Sequence, residues 1–256
     1  INGPITKSGG MSSYGMDYVS NLMLKMNSDK RIVGFLIYGD SGGGSSSAVE
    51  LMDDTIKEIR KTKPVYALIE KGGMACSAMY GIISGCNKIY SESGMNFVGS
   101  IGTMIQFEGR KANSEAPDGT KYVRVYATKS SKKNKDFEEA LNHDNYDLLI
   151  SELLDPVNEN FLNRVQTNRP QLVGTDFDNG NDKFAKDAIG TFIDGIKSFS
   201  EVAEEVMQDY KTNYESIQEK EKEIKNNSKN NPKATNSMTK AELKAQFPGV
   251  YQEIYD

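Results

Sequence analysis

Hydrophobic residues in the first part of the chain form short continuous runs separated by helical repeats. The run "RIVGFLIYG" ends at a glycine and predicts a buried strand near Ile32 to Tyr38. In the following "SSAVELMDDTIKEIRK" the apolar residues recur at steps of three and four, which predicts an amphipathic helix with Ser45 to Ser47 available as N-cap. The apolar positions of this predicted helix are Val49, Met52, Ile56 and Ile59.

The alternation of strand and helix then continues. "PVYALIE" predicts a second strand, "SAMYGIISGC" a second helix and "NKIYSE" a short third strand. A βαβαβ order predicts an α/β fold whose parallel sheet carries helices on its faces. Ligand sites of such sheets lie at the carboxyl ends of the strands, where the glycine-rich stretches "GDSGGG" and "KGGMACS" fall.

The pattern becomes less regular in the second half. "FEGRKANSEAPDGT" predicts a loop or small excursion, "KYVRVYAT" a strand, and "SSKKNKDFEE" a basic loop that runs into a helix. "ALNHDNYDLLISELLDPVNENFLNRVQ" predicts helix with a break near Pro156. "KFAKDAIGTFIDGIKSFSEVAEEVMQDY" predicts a return to the domain through a short helix and a glycine-bounded strand or turn.

The C-terminal part differs in character, because it contains few core residues. We expect a domain over residues 1–207, a charged helix and flexible linker over 208–236, and a short helical segment over 237–256 that begins with a Thr239–Glu242 capping-box pattern. Apolar residues at alternating steps of four and three predict either a marginal coiled coil or an amphipathic helix lying on its own domain. These residues are Ala203, Met207, Tyr210, Tyr214, Ile217 and Ile224, and Glu221 is the only residue that breaks the series.

Composition narrows the classes of function. The 256 residues are 37% hydrophobic and 26% charged, which is typical of a globular protein. A formal charge of −5 without a basic stripe argues against nucleic acid as a partner. We expect no membrane segment, since no apolar run reaches about 18 residues and no signal peptide opens the chain, so a cytoplasmic location is expected.

The cysteines and the histidine predict neither a metal site nor a disulfide framework. Cys76 and Cys86 show no metal-ligand spacing with His143, the single histidine of the chain. So few thiols favour a reducing compartment, and His143 is expected at the surface. We expect no cofactor.

The stretch "YGDSGGGSSS" shares the letters "GDSGG" with trypsin-like proteases, but the rest of the chain excludes that class. The triad of those enzymes runs in the order His, Asp, Ser, whereas His143 comes after Ser41. A phosphate-binding loop is disfavoured, because the Walker pattern ends in Gly-Lys-Ser/Thr and this stretch has no lysine. Ser41 is therefore predicted to have a structural role.

Ser77 is the better candidate nucleophile. It lies at a predicted strand-to-helix turn, the arrangement that exposes a nucleophile and places a backbone N–H beside it as an oxyanion donor. The neighbouring Cys76 offers a thiol alternative, but the only histidine lies in a polar helical stretch.

Four stretches in register resemble the signal peptide peptidase A group of serine proteases, which shares its fold with the Clp protease subunit and the crotonases. "GDSGGGSSSAVELMDDTIKEIRKTKPVYALI" is similar to the family's glycine turn, helix and strand, and "MACSAMYGI" to its nucleophile turn. "NKIYSESGMNFVGSIGT" is similar to its next strand and Gly-Ser-Ile-Gly turn, and "SSKKNKDFEE" occupies the place of its lysine loop. The resemblance spans roughly Arg31 to Glu139.

This resemblance implies a serine endopeptidase of ClpP/crotonase-like fold that uses a Ser-Lys dyad. Ser77 would be the nucleophile, and the N–H groups of Gly44 and Ala78 match the oxyanion-hole positions, with Gly43 as the near alternative. Ser100 in "GSIGT" matches the hydroxyl that orients the lysine.

The general base implied by the resemblance is Lys135, because its "Lys-Asp" pair matches the family's pair. The rivals in the same loop are Lys129, Lys132 and Lys133. A lysine acts as a base only when it is neutral, and its ordinary pKa of about 10.4 requires a site that disfavours the charged form. The sequence departs from the family at the turn proline and at the two glycines after the nucleophile, so a weak or degenerate enzyme is an alternative.

The family branch implied by the C-terminal segment "MTKAELKAQFPGVYQEI" is that of phage-encoded capsid maturation proteases, acting in the host cytoplasm or the procapsid. A homo-oligomer, peptide or protein substrates and capsid proteins are the partners that this resemblance implies. A soluble bacterial peptidase of the same group is the first alternative. The others are a catalytically vestigial capsid scaffold and a crotonase-like acyl-CoA enzyme, which would need neither Ser77 nor the lysine loop.

Overall fold

A computed structural model describes residues 1–10 and 14–215, and it has a mixed α/β architecture. The α-helices are α1 (Met16–Asn27), α2 (Ser46–Ile59), α3 (Ala78–Ser84), α4 (Lys135–His143), α5 (Asp147–Leu149), α6 (Asp155–Asn168) and α7 (Phe199–Asp209). The strands are β1 (Phe35–Gly39), β2 (Val65–Ile69), β3 (Met74–Cys76), β4 (Lys88–Ser91), β5 (Phe97–Gly99), β6 (Ser114–Glu115), β7 (Lys121–Tyr122), β8 (Asp182–Phe184) and β9 (Gly195–Ile196). Three-residue 3₁₀ turns occupy Thr128–Ser130, Pro170–Leu172 and Ala185–Asp187, and π-helical turns occupy Ile150–Leu154 and Tyr210–Tyr214.

The central sheet has the order β1-β2-β4-β9, and all of its pairs are parallel. Every residue of β2 is buried, as expected for an inner strand covered on both faces. The predicted βαβαβ core and its parallel sheet are therefore confirmed.

A second, three-stranded sheet of order β3-β5-β8 lies beside the first and was not predicted. Its strands have three residues each, too few for a hydrophobic period to be visible in the sequence. β3 pairs with β5 in parallel, and β8 runs antiparallel to β5. This sheet matters for the site, because the chain passes from β3 directly into α3.

The predicted apolar face of α2 is confirmed, since Val49, Met52, Ile56 and Ile59 are all buried in the main core. Helix α1, which the sequence analysis did not predict, packs against α2. The two helices also share a buried hydrogen bond of 2.7 Å between the hydroxyls of Ser20 and Thr55.

Two local predictions hold only in part. The helical stretch breaks first at Asp144, whose φ is 53°, and near Pro156 the backbone stays helical while the π-helical turn Ile150–Leu154 interrupts the α-helical pattern just before α6. In "KYVRVYAT" only Lys121–Tyr122 forms a strand, and the apolar side chains of Val123 and Val125 are 63% and 87% exposed.

Helix α7 closes the described part of the chain on the outer face of the central sheet. It begins with a capping box between Ser198 and Glu201, and its buried residues Val202 and Val206 pack with Tyr66, Leu68 and Tyr90. The alternative in which this helix lies on its own domain is thus confirmed for the described part, while Met207 of the proposed seam is 47% exposed.

The contacts of this helix continue beyond residue 207, since the Tyr214 hydroxyl accepts a hydrogen bond from the Asn87 side chain. Ile217, Ile224, most of the 208–236 segment and the 237–256 segment lie outside the described residues, and these domain boundaries stay predictions. No helix in the described ranges has the length and apolar character needed to span a bilayer.

Candidate active site

Two turns meet at the carboxyl end of the parallel core: the glycine loop after β1 and the turn from β3 into α3. At Gly43, with φ of 114°, a Cβ atom would lie 2.6 Å from the Ser77 Cβ and 3.0 Å from the Ala78 nitrogen. The first distance is shorter than real side chains allow and the second is tighter than most, so a side chain fits here only if the turn shifts. The loop backbone therefore lies directly against the candidate nucleophile.

Ser77 has an unusual backbone conformation for a non-glycine residue, with φ 50° and ψ −123°. Its N–H donates to the Gly99 carbonyl at 2.8 Å, and its own carbonyl accepts from the Gly81 N–H at 3.0 Å. Although Ser77 is the N-cap of α3, its hydroxyl makes no capping hydrogen bond. Within the described ranges the strained turn thus leaves the Oγ atom without a capping partner and available to a substrate.

The three candidate oxyanion donors differ in what they already bind. The Gly43 N–H donates to the Ser41 hydroxyl at 3.1 Å. Within the described residues the Gly44 N–H has no acceptor. Ala78 is the first residue of α3, so its N–H has no acceptor within the helix. Gly44 and Ala78 are therefore the better placed pair, and Gly43 holds the turn.

Ser41 is buried in the glycine loop. Besides accepting from Gly43, its hydroxyl donates to the Gly3 carbonyl at 2.7 Å. Its backbone also bonds to β3 on both sides, with N–H to Met74 at 2.8 Å and carbonyl from Cys76 at 3.1 Å. These bonds attach the loop to the strand that leads into Ser77, in agreement with a structural role.

A cavity of about 490 Å³ opens in front of Ser77. Ser100, whose φ is 48° and whose N–H donates to the Asn181 carbonyl at 2.8 Å, forms part of the wall. Among residues 1–10 and 14–215, none of those that line it has a side chain that titrates near neutral pH. The lining residues are Gly42, Gly44, Ser45, Ser46, Val49, Ser77, Ala78, Ser100, Gly102, Thr103, Met104 and Phe161.

Lys135 does not line this cavity. It is the first residue of α4 and its side chain is exposed, as are those of Lys129, Lys132 and Lys133. Helix α4 is attached to the preceding segment by an edge-to-face contact of Phe137 with Phe107, whose ring centroids are 5.1 Å apart. The structure thus brings Ser77, Ser100, Gly44 and Ala78 together and leaves Lys135 apart, so its role stays a prediction.

The thiol alternative is disfavoured by the surroundings of Cys76. Burial, with smaller contributions from Asp182 and Asp40, raises the pKa of this thiol to about 12. A cysteine that stays protonated at neutral pH is a poor nucleophile. His143, the only imidazole, is exposed at the end of α4 and lies 3.1 Å from Glu139 of the same helix, so the predicted surface position is confirmed.

Phe161 and Met104 line the cavity but were not expected as site residues. The sequence signal that could have indicated Phe161 is the glycine at position 81 in the fully buried helix α3, since a missing side chain there leaves room for a large one opposite. Among the described residues no group of three or more His, Cys, Asp or Glu side chains is arranged to hold a metal ion.

No protein-family model matches this sequence, and no curated protein matches it. Solved structures similar to the chain include a serine-to-alanine variant of the 1510-N membrane-bound stomatin-specific protease, with 15% identity, 80% of each chain covered and a TM-score of 0.40. Another is a lysine-to-alanine variant of that protease in complex with a substrate peptide, with 15% identity, 80% of this chain and 76% of that chain covered, and a TM-score of 0.40. At this level the likeness does not identify the function of the present chain.

Proposed function

We propose that this protein is a serine endopeptidase with Ser77 as its nucleophile, on a ClpP/crotonase-like fold. The observation that carries the proposal is the strained turn at Ser77, whose free hydroxyl lies at the start of α3 against the glycine loop. A conformation of this kind is costly, of order 1–3 kcal/mol, and persists only where the surrounding structure enforces it.

The proposed reaction is an acyl transfer in two steps. The Ser77 Oγ attacks the peptide carbonyl carbon while its proton moves to a neutral base, and the N–H groups of Gly44 and Ala78 stabilise the oxyanion. Collapse of this intermediate breaks the C–N bond, and the base returns the proton to the leaving amine. A water molecule then hydrolyses the Ser77 ester by the same route.

The proposed base is Lys135, oriented by the Ser100 hydroxyl. Its exposed position at the start of α4 means that its Nζ has to enter the cavity from the outside. We propose that this happens within a homo-oligomer, where the lysine of a second copy can complete the site. Mixing inactive Ser77→Ala and Lys135→Ala chains should then restore part of the activity under conditions that exchange subunits, and no recovery would count against a shared site.

The narrower role that we propose is maturation of capsid proteins by a prophage-encoded enzyme, in the host cytoplasm or the procapsid. Its support is the sequence of residues 237–256, which lie outside the described part of the chain.

A second candidate is a vestigial, peptide-binding scaffold. The observation in its favour is the lining of the Ser77 cavity, which in the described part of the chain includes no lysine or other base. Such a protein would bind an extended peptide without cleaving it.

A fluorophosphonate probe followed by peptide mapping tests the proposal. Covalent labelling of Ser77 in the native protein, and its loss on denaturation, is expected because only an activated serine reacts. Labelling would exclude both the scaffold and the acyl-CoA alternatives. Absence of label at Ser77 in every oligomeric state of the chain would overturn the proposed function.

A further inference from the structure

A second cavity of about 300 Å³ lies next to the Ser77 cavity, between α2 and α6. The two cavities share Ser46, Val49 and Phe161 as lining residues. The second one is further lined by Ser47, Glu50, Pro156, Val157, Asn160 and Arg164. Most of its wall area is apolar although five of the nine lining residues are polar, and these include the ion pair of Glu50 with Arg164. Its size is at the lower end of ligand pockets, about 300–1,000 Å³.

Phe161 lines both cavities, and its ring contacts helix α3. The side chain is 7% exposed. A Cβ atom at Gly81 of α3 would lie 2.6 Å from the Phe161 Cε2 atom and 2.8 Å from the Val49 Cγ1 atom. The ring therefore packs directly on the backbone of the helix that begins after Ser77, and it cannot retreat further in that direction.

Arg164, one turn after Phe161 on α6, fixes this helix against α2. Its guanidinium donates to Asp53 at 2.9 Å and to Glu50 at 2.7 Å, and the Asp53 carboxylate is completely buried. Asn168 donates a further hydrogen bond of 2.8 Å to the same carboxylate. A buried carboxylate held by several donors has few alternative arrangements, so the position of Phe161 relative to the Ser77 cavity is well defined.

We propose that the second cavity is a subsite for a large apolar side chain of a bound peptide and that Phe161 is the specificity-determining residue that limits its size. The inference deepens the proposed function and rests on peptides binding at the Ser77 cavity. Val157 and Phe161 provide the apolar contact, while Arg164 is a positioning residue that acts through α6.

The experiment selects a display library of random peptides on the full chain carrying Ser77→Ala, so that binding is read without hydrolysis. We expect enrichment of a large apolar residue at one peptide position. Adding Phe161→Ala should shift this preference towards tryptophan by about tenfold or more, as expected when a pocket gains space. Adding Val157→Trp, which fills the second cavity, should remove the preference while the other peptide positions keep theirs.

Phe177→Ala is the matched control, since Phe177 is also 7% exposed and lines a different cavity with Leu162 and Val173. It creates a comparable void and a comparable loss of stability, and it should leave the peptide preference unchanged. The inference would be overturned if the Phe161→Ala and Phe177→Ala variants enrich the same peptides, or if no peptide is enriched at all. If the library selects peptides but the wild-type protein hydrolyses none of them, the proposed peptidase activity is wrong and the proposed subsite stands.

Discussion

The segment that presents Ser77 and the segment that carries the lysines are built in opposite ways. Residues 35–103 contain strands β1 to β5 and the helices α2 and α3, and the β1 loop is fixed to β3 through Ser41. Residues 104–146 contain only a two-stranded hairpin, a 3₁₀ turn and α4, and several large apolar side chains in them are exposed, such as Met104 at 76% and Val123 at 63%. The geometry of the proposed nucleophile is therefore enforced by the core, whereas the position of the proposed base depends on weaker contacts.

The largest change in activity should come from a substitution in residues 35–103. Ser77→Ala is expected to lower kcat for peptide hydrolysis by more than about 10³-fold, since it removes the proposed attacking atom. Ser41→Ala removes a buried hydroxyl with two partners, so it should lower the free energy of unfolding by about 1–3 kcal/mol and leave most of the activity. Peptide cleavage assays and denaturant titration measure the two quantities.

The reverse pattern, with activity lost in Ser41→Ala and kept in Ser77→Ala, would falsify the assignment of the nucleophile. Circular dichroism of both variants serves as the control for folding.

On the side of residues 104–146, Lys135→Ala should lower activity by several orders of magnitude because no other residue would take the serine proton. Lys132→Ala and Lys133→Ala are matched controls, since both lysines are also exposed and close in sequence, and both variants should stay near the wild-type rate. If Lys129→Ala or Lys133→Ala is the damaging variant, the assignment of the base to Lys135 is wrong although a Ser-Lys dyad survives.

The same contrast explains what the sequence could predict. Long apolar runs and the helical repeat of α2 identified the parallel core, and glycines at strand ends identified the turn at Ser77, because both patterns follow directly from backbone geometry. The three-residue strands β3, β5 and β8 have no visible period, and α1 was missed as well. Side chains that converge from distant segments, such as Phe161 and Asp53 with Arg164, depend on tertiary packing that no local pattern encodes.

Gly43→Ala tests how tightly the core controls the nucleophile. The new methyl group would meet the Ser77 Cβ at 2.6 Å, so the turn has to shift and the oxyanion donors with it. Loss of one such donor costs about 10²–10³-fold in kcat, and we expect a decrease near the lower value. Hydrolysis rates measured at equal fractions of folded protein check this.

Gly72→Ala is the matched control for Gly43→Ala. Gly72 also has a positive φ, 82°, but a Cβ atom there would have nothing within 4 Å. This variant should show the backbone strain alone, about 1–3 kcal/mol of stability, without the loss of activity. Equal loss of activity in both variants would mean that strain, and not the contact with Ser77, is responsible.

The smallest effect concerns the attachment of α4, where the Tyr126 hydroxyl donates a 2.8 Å hydrogen bond to Glu138. This hydrogen bond raises the pKa of Tyr126. A group whose pKa is raised in the folded state stabilises that state at pH values below its ordinary pKa, which is about 10 for tyrosine. The stabilisation is lost as the pH rises through the raised pKa. Hydrogen exchange of residues 135–143 should therefore become faster in the wild type above about pH 10. In Tyr126→Phe it should already be slightly faster at neutral pH and show less of this additional alkaline change, with at most a few-fold loss of activity. Identical exchange in both proteins at neutral pH would show that the contact of Phe137 with Phe107 holds α4 without the tyrosine. The difference between residues 35–103 and residues 104–146 would then depend on packing alone.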